Sequence, residues 1–338
     1  MKTIRTLGRQ RGVGLVEIMV GVVIGLIAVL VIYQVFALSE GIKRNTTAVG
    51  DSQQNGLFTS FTLGLELANA GNSIEVAAKD LESCPDTGNI ASTFRPIPVL
   101  ITPGSTLDSP DEFVVNYSMG TVSIGTVPFM PPSSDTSNYF VQSPTGFKVG
   151  DRIVAAQAGA CEMSTVTAVG APNAEGVVHI THSGVSTTYT TSAVLFNMGP
   201  AIKAQRVRYD VASEVLRSQD LFTAGATPNP LSSNVVNMKL LYGIDPTNSG
   251  TLTWVRPIGA WAPATVMAMT ASQLNQIKAV RIGVVVRSEQ WDKNNVDVSW
   301  SMFGGIYSGV HAASNGNWRF RTYETIVPLR NTLWNPLS

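Results

Sequence analysis

Charge is scarce in this sequence: 14% of its 338 residues are Asp, Glu, Lys or Arg, against 44% that are apolar. The 23 basic and 23 acidic residues balance to a net charge of zero, with no Lys/Arg run among them. Neither a global nor a local attraction for a phosphate backbone follows from that, so no direct nucleic-acid partner is expected. Cysteine occurs twice, as Cys84 and Cys161. Two are too few for a disulfide scaffold, and their spacing is not that of zinc ligands. Histidine occurs three times. His179 and His182 lie three apart in a β-prone run, which sends them to opposite faces. No cysteine or carboxylate close in sequence joins them, so they are expected as surface or turn residues and no metal is expected. Asp292, Asn294 and Asp297 make an oxygen-rich loop, but it lacks the glycine and closing glutamate of an EF-hand and reads as a solvated turn. There is no phosphate loop, dinucleotide fingerprint or Gly-x-Ser-x-Gly elbow. No catalytic residue and no cofactor is therefore assigned, and the chain is expected not to be an enzyme.

What is present is concentrated at the N-terminus. Residues 1–12 are polar and basic, with Lys2, Arg5, Arg9 and Arg11 and no acid. Ile18 to Leu38 is an uncharged apolar run of 21 residues. At about 1.5 Å per residue it spans about 30 Å, the thickness of a hydrocarbon core. Basic residues before it orient the N-terminus to the cytoplasm and the body from Ser39 outward. The run is too long for the core of a cleaved secretory signal. A plain signal anchor fits the hydropathy as well as any other reading. An exported body makes a Cys84–Cys161 bridge the natural pairing, with two unpaired buried cysteines as the alternative.

Gly12 followed by Val13-Gly14-Leu15-Val16-Glu17 separates the readings: a glycine, four mostly apolar residues, then a glutamate entering the apolar run. This resembles the type III signal of type IV prepilins. The resemblance implies cleavage after Gly12 by prepilin peptidase, N-methylation of Val13, and retention of the apolar segment. It also implies that Glu17 sets assembly register by pairing with a neighbouring subunit's N-terminal amine. A carboxylate at the head of a membrane helix is costly enough to be kept for a function. Loss of Lys2, Arg5, Arg9 and Arg11 leaves 19 basic against 23 acidic residues, a net of −4.

No proline occurs from Met1 to Cys84, although the chain has 18. A continuous helix is predicted from about Val13 to Ala70. Leu57, Phe58, Phe61, Leu65 and Ala68 recur at helical spacing, as a stripe able to pack under a sheet. Gln53-Gln54-Asn55-Gly56 and Glu66-Leu67-Ala68-Asn69-Ala70-Gly71 are similar to the helix end of PilW-family minor pilins. Gly150-Asp151-Arg152-Ile153, Tyr242-Gly243-Ile244-Asp245, Val280-Arg281-Ile282 and Val327-Pro328-Leu329-Arg330-Asn331 resemble further PilW segments.

Beyond Ala70, Pro, Gly, Ser and Thr punctuate short β-prone runs. Strands are predicted at Phe113–Ser118, Arg152–Gln157, Ser164–Val169, Val177–Thr181, Gln205–Val211, Val235–Ile244, Ala279–Arg287 and Trp318–Val327. In Ala279–Arg287 the valines alternate with Arg281, Gly283 and Arg287, the pattern of a one-sided strand. Pro128–Pro144 and Thr223–Asn234 read as loops. All six tryptophans (Trp254, Trp261, Trp291, Trp300, Trp318 and Trp334) fall in the last 85 residues and are expected chiefly in the core.

The expected fold is α+β and type IV pilin-like: a long N-terminal transmembrane and amphipathic helix on an antiparallel sheet, with an added β-rich subdomain. The expected division is a leader at 1–12, a helix at 13–75 (13–38 transmembrane), an inserted β-rich part at 76–200 and a C-terminal sheet at 201–338. By resemblance, the partners are other minor pilins and the major pilin, prepilin peptidase, a tip adhesin and the inner membrane. The rivals are a type II secretion minor pseudopilin and, from another class, a signal-anchored periplasmic binding protein or hydrolase.

Overall fold

The computed structural model describes residues 12, 14–74, 77, 79–84, 95, 97–119, 125–142, 145–157, 159–183, 187–291, 299–310 and 318–329. Its contacts divide the chain into residues 1–50 and residues 51–338. The first unit holds most of α1 (Leu15–Asn69), an unbroken helix of 55 residues. Its apolar stretch has a mean hydropathy of 3.0 over 18 residues, and none of that stretch is buried. A helix satisfies its own backbone groups, which suits a segment of this composition to a bilayer.

The helix ends at Asn69, within a residue of the predicted Ala70, because Gly71 takes the left-handed conformation (φ 81°) and turns its N–H to the Asn116 carbonyl, 2.8 Å away. Two sheets receive the helix end. One runs β1 (Val99–Thr102), β2 (Glu112–Ser118), β9 (Ala204–Ala212), β10 (Val215–Asp220) and β11 (Asn229–Ser233). The other runs β13 (Thr253–Val255), β12 (Val235–Ile244), β14 (Ile277–Arg287) and β17 (Phe320–Pro328). Leu63, Leu67 and Ala70 join Val99, Phe113 and Val115 of the first sheet and Leu240, Val280, Ile282 and Val327 of the second in one core. Two short helices, α2 (Pro263–Ala268) and α3 (Ala271–Leu274), cap this core through Val266, Met269 and Leu274.

A closed barrel forms from β3 (Val127–Ser134), β4 (Asn138–Val141), β7 (Val178–His182), β6 (Ala160–Val169), β5 (Asp151–Gln157) and β8 (Val194–Pro200). It has its own interior of Phe129, Tyr139, Ile153, Val178, Ile180 and Leu195. The stretch 76–200 thus divides: residues 99–118 join the sheet of residues 204–233, and residues 127–200 make the barrel.

All eight predicted strand segments are strands. Three readings differ. Pro128–Pro144 contains most of β3 and all of β4, and Thr223–Asn234 contains β11; Pro128, Pro131 and Pro132 sit in β3, which pairs over only part of its length, and Pro230 sits in the edge strand β11. Strand β14 is buried on both faces except at Arg281 and Arg287. Its second face lies under the hairpin of β15 (Ser299–Met302) and β16 (Tyr307–Val310), where Trp300, Met302, Phe303 and Tyr307 pack with Leu241 and Val285. A sheet covered on both sides needs no alternation.

Candidate assembly site

Helix α1 begins where Gly14 accepts the N–H groups of Glu17 (2.9 Å) and Ile18 (3.3 Å). Gly12 precedes it, and Glu17 occupies its first turn, exposed, where a negative charge suits the helix dipole. Val13 lies outside the described residues, as do Lys2, Arg5, Arg9, Arg11, the Asp292–Asp297 loop, His311 and Trp334.

Within residues 51–69, the helix turns an unexpected face to the body. Ser52, Gly56, Thr59, Leu63 and Leu67 are buried; their spacing of four, three, four and four defines one side. Of the stripe expected under the sheet, Ala68 packs against the core, but the large residues point away: Leu57 is 62% exposed, Phe58 54%, Phe61 71% and Leu65 52%. They sit about half a turn round the helix from the buried side. Small residues win the buried side because the backbone approaches β17 closely there. A Cβ on Gly56 would lie 2.0 Å from the Tyr323 ring. Gly56→Val is therefore expected to push the helix off β17 and to destabilise the body by about 1–3 kcal/mol. A denaturant titration checks this; an unchanged midpoint would contradict the close approach.

The segment Glu66–Gly71 owes its residues to this docking. Tyr117 of β2 donates its hydroxyl to Glu66 Oε2 at 2.8 Å, and Tyr209 of β9 faces the same carboxylate. Burial first, then the charge and hydrogen bond of Glu66, raises both phenol pKa values well above the usual range. Leu67 and Ala70 fill the core, and Asn72 donates its side-chain amide to the Ser118 carbonyl at 3.0 Å. Two more of the quoted segments, Tyr242–Asp245 and Val280–Ile282, are also structural. Tyr242 accepts the Ile101 N–H at 2.7 Å. Asp245 takes the N–H groups of Ser249 (2.9 Å) and Gly250 (2.7 Å), which lowers its pKa against the opposing pull of burial. Arg281 pairs with Glu324 of β17 at 2.8 Å.

One polar centre escaped the sequence reading. Lys239, in the middle of β12, is fully buried and donates to Asp111 Oδ1 (2.9 Å) and the Ser109 carbonyl (2.5 Å). Asp111 also accepts from Gly104 N (2.9 Å) and Leu240 N (3.0 Å). A lysine inside a hydrophobic strand was the available signal. It asked for a buried counter-charge, but nothing in the sequence pointed to Asp111.

Cys84 and Cys161 are joined, with Cα atoms 5.4 Å apart. The bridge lies in a small core of Ile74, Leu81, Val154, Phe196 and Met198, which ties the segment after α1 to the outside of the barrel. His179 is exposed, whereas His182 is buried against the Tyr139 ring, so only one of the pair is a surface residue. No metal-binding group of three His, Cys, Asp or Glu side chains occurs among the described residues. Of the tryptophans, Trp300 is buried, Trp254, Trp261 and Trp318 are half-buried, and Trp291 is exposed.

Comparison with known proteins finds a family resemblance over part of this architecture. Residues 204–331, which contain the sheet β13-β12-β14-β17 and its covering hairpin, match the type IV pilus-assembly protein W family, PilW. Among solved structures, a type IV-like pilin from Thermus thermophilus aligns at 11% identity and a TM-score of 0.35, over 84% of this chain and 96% of that one. No curated protein matches. The likeness to the PilW family thus lies in the C-terminal region of the chain, residues 204–331.

Proposed function

We propose that the chain is a non-enzymatic minor pilin that helps prime assembly of a type IV pilus and sits at or near its tip. The observation that carries this reading is the state of α1: an unburied apolar stretch followed by the exposed stripe of Leu57, Phe58, Phe61 and Leu65. Exposed apolar side chains in a continuous row mark a surface that another protein covers. The PilW-like sheet supports the choice of partner class, namely other pilus components. In this reading Gly12 marks the processing site, Val13 becomes the methylated N-terminus and Glu17 sets register against a neighbouring helix. The inner membrane holds the subunit before assembly, with the body on the periplasmic side. The major pilin and other minor pilins then take over the helix.

Two substitutions separate assembly from folding. Glu17→Ala and Phe61→Asp both alter exposed positions, so each is expected to leave the stability of the body within about 0.5 kcal/mol. Both are expected to reduce surface piliation, measured by counting pili in a strain that carries the variant as its sole copy. Piliation equal to the parent in both variants would refute the proposal.

A further inference from the structure

We propose that the His182 end of the barrel is an acid-sensitive latch, closed around a neutral imidazole and opened by its protonation. The His182 ring stacks on Tyr139, centroid to centroid 3.8 Å. Tyr139 in turn meets Phe129 and Tyr189 at 5.2 and 5.9 Å, inside the barrel. His182 Nδ1 lies 3.1 Å from the Ser183 carbonyl. A carbonyl only accepts, so the neutral ring carries its proton on Nδ1 and presents Nε2 as a bare acceptor. Nε2 is buried and has no hydrogen-bond partner among the described residues. A second proton would therefore create a buried charged donor with nothing to receive it.

The groups facing the ring do not supply that acceptor. Asp135, ahead of β4, is taken by the N–H groups of Ser137 and Asn138, both at 2.7 Å. Glu162, on β6, accepts from Thr187 N at 3.1 Å. Tyr139 and Tyr189 are held neutral by burial. Burial lowers the His182 pKa from its ordinary 6.5, and this outweighs the Ser183 contact and the two carboxylates, which raise it. For a base lowered by folding, the stabilisation is complete above pH 6.5 and is lost as pH falls from there through the folded-state pKa. The His182 backbone also clips the barrel shut: its N–H donates to the Ser137 carbonyl at 2.9 Å, and Ser183 N donates to Thr165 at 2.8 Å. Displacing the ring releases β7 from β4 and β6 together.

The test uses the full chain in detergent micelles, with carbon-13-labelled histidine and amide exchange read peptide by peptide. Only three imidazoles are present, and the His182→Phe variant keeps the stack while removing the titration. One resonance, absent from the variant, should titrate below the ordinary imidazole value of 6.5. As it titrates, protection of Asn138–Val141 and Val178–His182 should fall relative to Val235–Ile244, by about tenfold for each unit separating the folded and unfolded pKa values. The variant should keep its protection over the same range; His182→Gln serves if the phenylalanine is not accommodated. Titration of His182 at or above 6.5 would overturn the latch. So would unchanged barrel protection once His182 is protonated, or equal acid loosening of the variants.

Discussion

Asp111→Ala is expected to destabilise the body by about 3–5 kcal/mol, because it strands the ammonium of Lys239 in a nearly dry site. The Lys239 and Asp111 side chains are 2% and 1% exposed. Removal of the carboxylate leaves Lys239 with the Ser109 carbonyl and the face of the Tyr307 ring, 5.1 Å from the ring centroid. It also takes the acceptor from two backbone N–H groups, those of Gly104 and Leu240. The first lies in the loop before β2 and the second in β12, so the loss loosens the join between the two sheets. Most of the expected cost is the penalty of the orphaned charge rather than the worth of the pair. A double replacement, Asp111→Ala with Lys239→Met, should therefore recover a large part of it. Tryptophan fluorescence in a urea titration reads this directly, since Trp300 packs in the same layer as Tyr307. A single variant costing under about 1 kcal/mol would show that the pair contributes little.

Loss of the Cys84–Cys161 bridge is expected to cost about 4 kcal/mol, the chain-entropy value for a loop of this size; the two cysteines are 77 residues apart. The strain-free replacement is serine at both positions, which leaves two small polar groups in the core of Ile74, Leu81 and Phe196. Burial adds a kinetic expectation. Cys84 is 1% exposed and Cys161 4%, so a thiol reductant should leave the native bridge intact and cleave it only once denaturant opens the body. Alkylation with and without urea, followed by mass analysis, distinguishes the two states. Rapid reduction of the native protein would mean that the segment after α1 leaves the barrel without global unfolding.

The parts of this fold that the sequence made readable are those fixed by local pattern. Short β-prone runs between Pro, Gly, Ser and Thr clusters located the eight strands, and the length and purity of Ile18–Leu38 marked the membrane-suited stretch. The orientation of α1 was not local. Leu57, Phe61 and Leu65 form as good a stripe as Leu63 and Leu67, and the choice fell on the side where Ser52, Gly56 and Thr59 permit close approach to Tyr323. The largest side chains were left outside because the buried side is narrow, not because it is apolar. The barrel was hidden for a related reason. Its β3 carries proline and serine, and the pairing of β3 with β8 and of β4 with β7 reaches across more than 35 residues of chain. In β14 the alternation suggested a solvated face, but the β15–β16 hairpin, contributed later in the sequence, covers it. Lys239 followed the same rule, since its partner lies 128 residues away.

The most direct test of the assembly account is the intact mass and N-terminal peptide map of the protein extracted from its native membrane. The account predicts a chain beginning at N-methylated Val13, with the apolar helix retained. A chain beginning at Met1 would instead mean an uncleaved anchor, and one beginning near Glu40 a released soluble body; either result would contradict it.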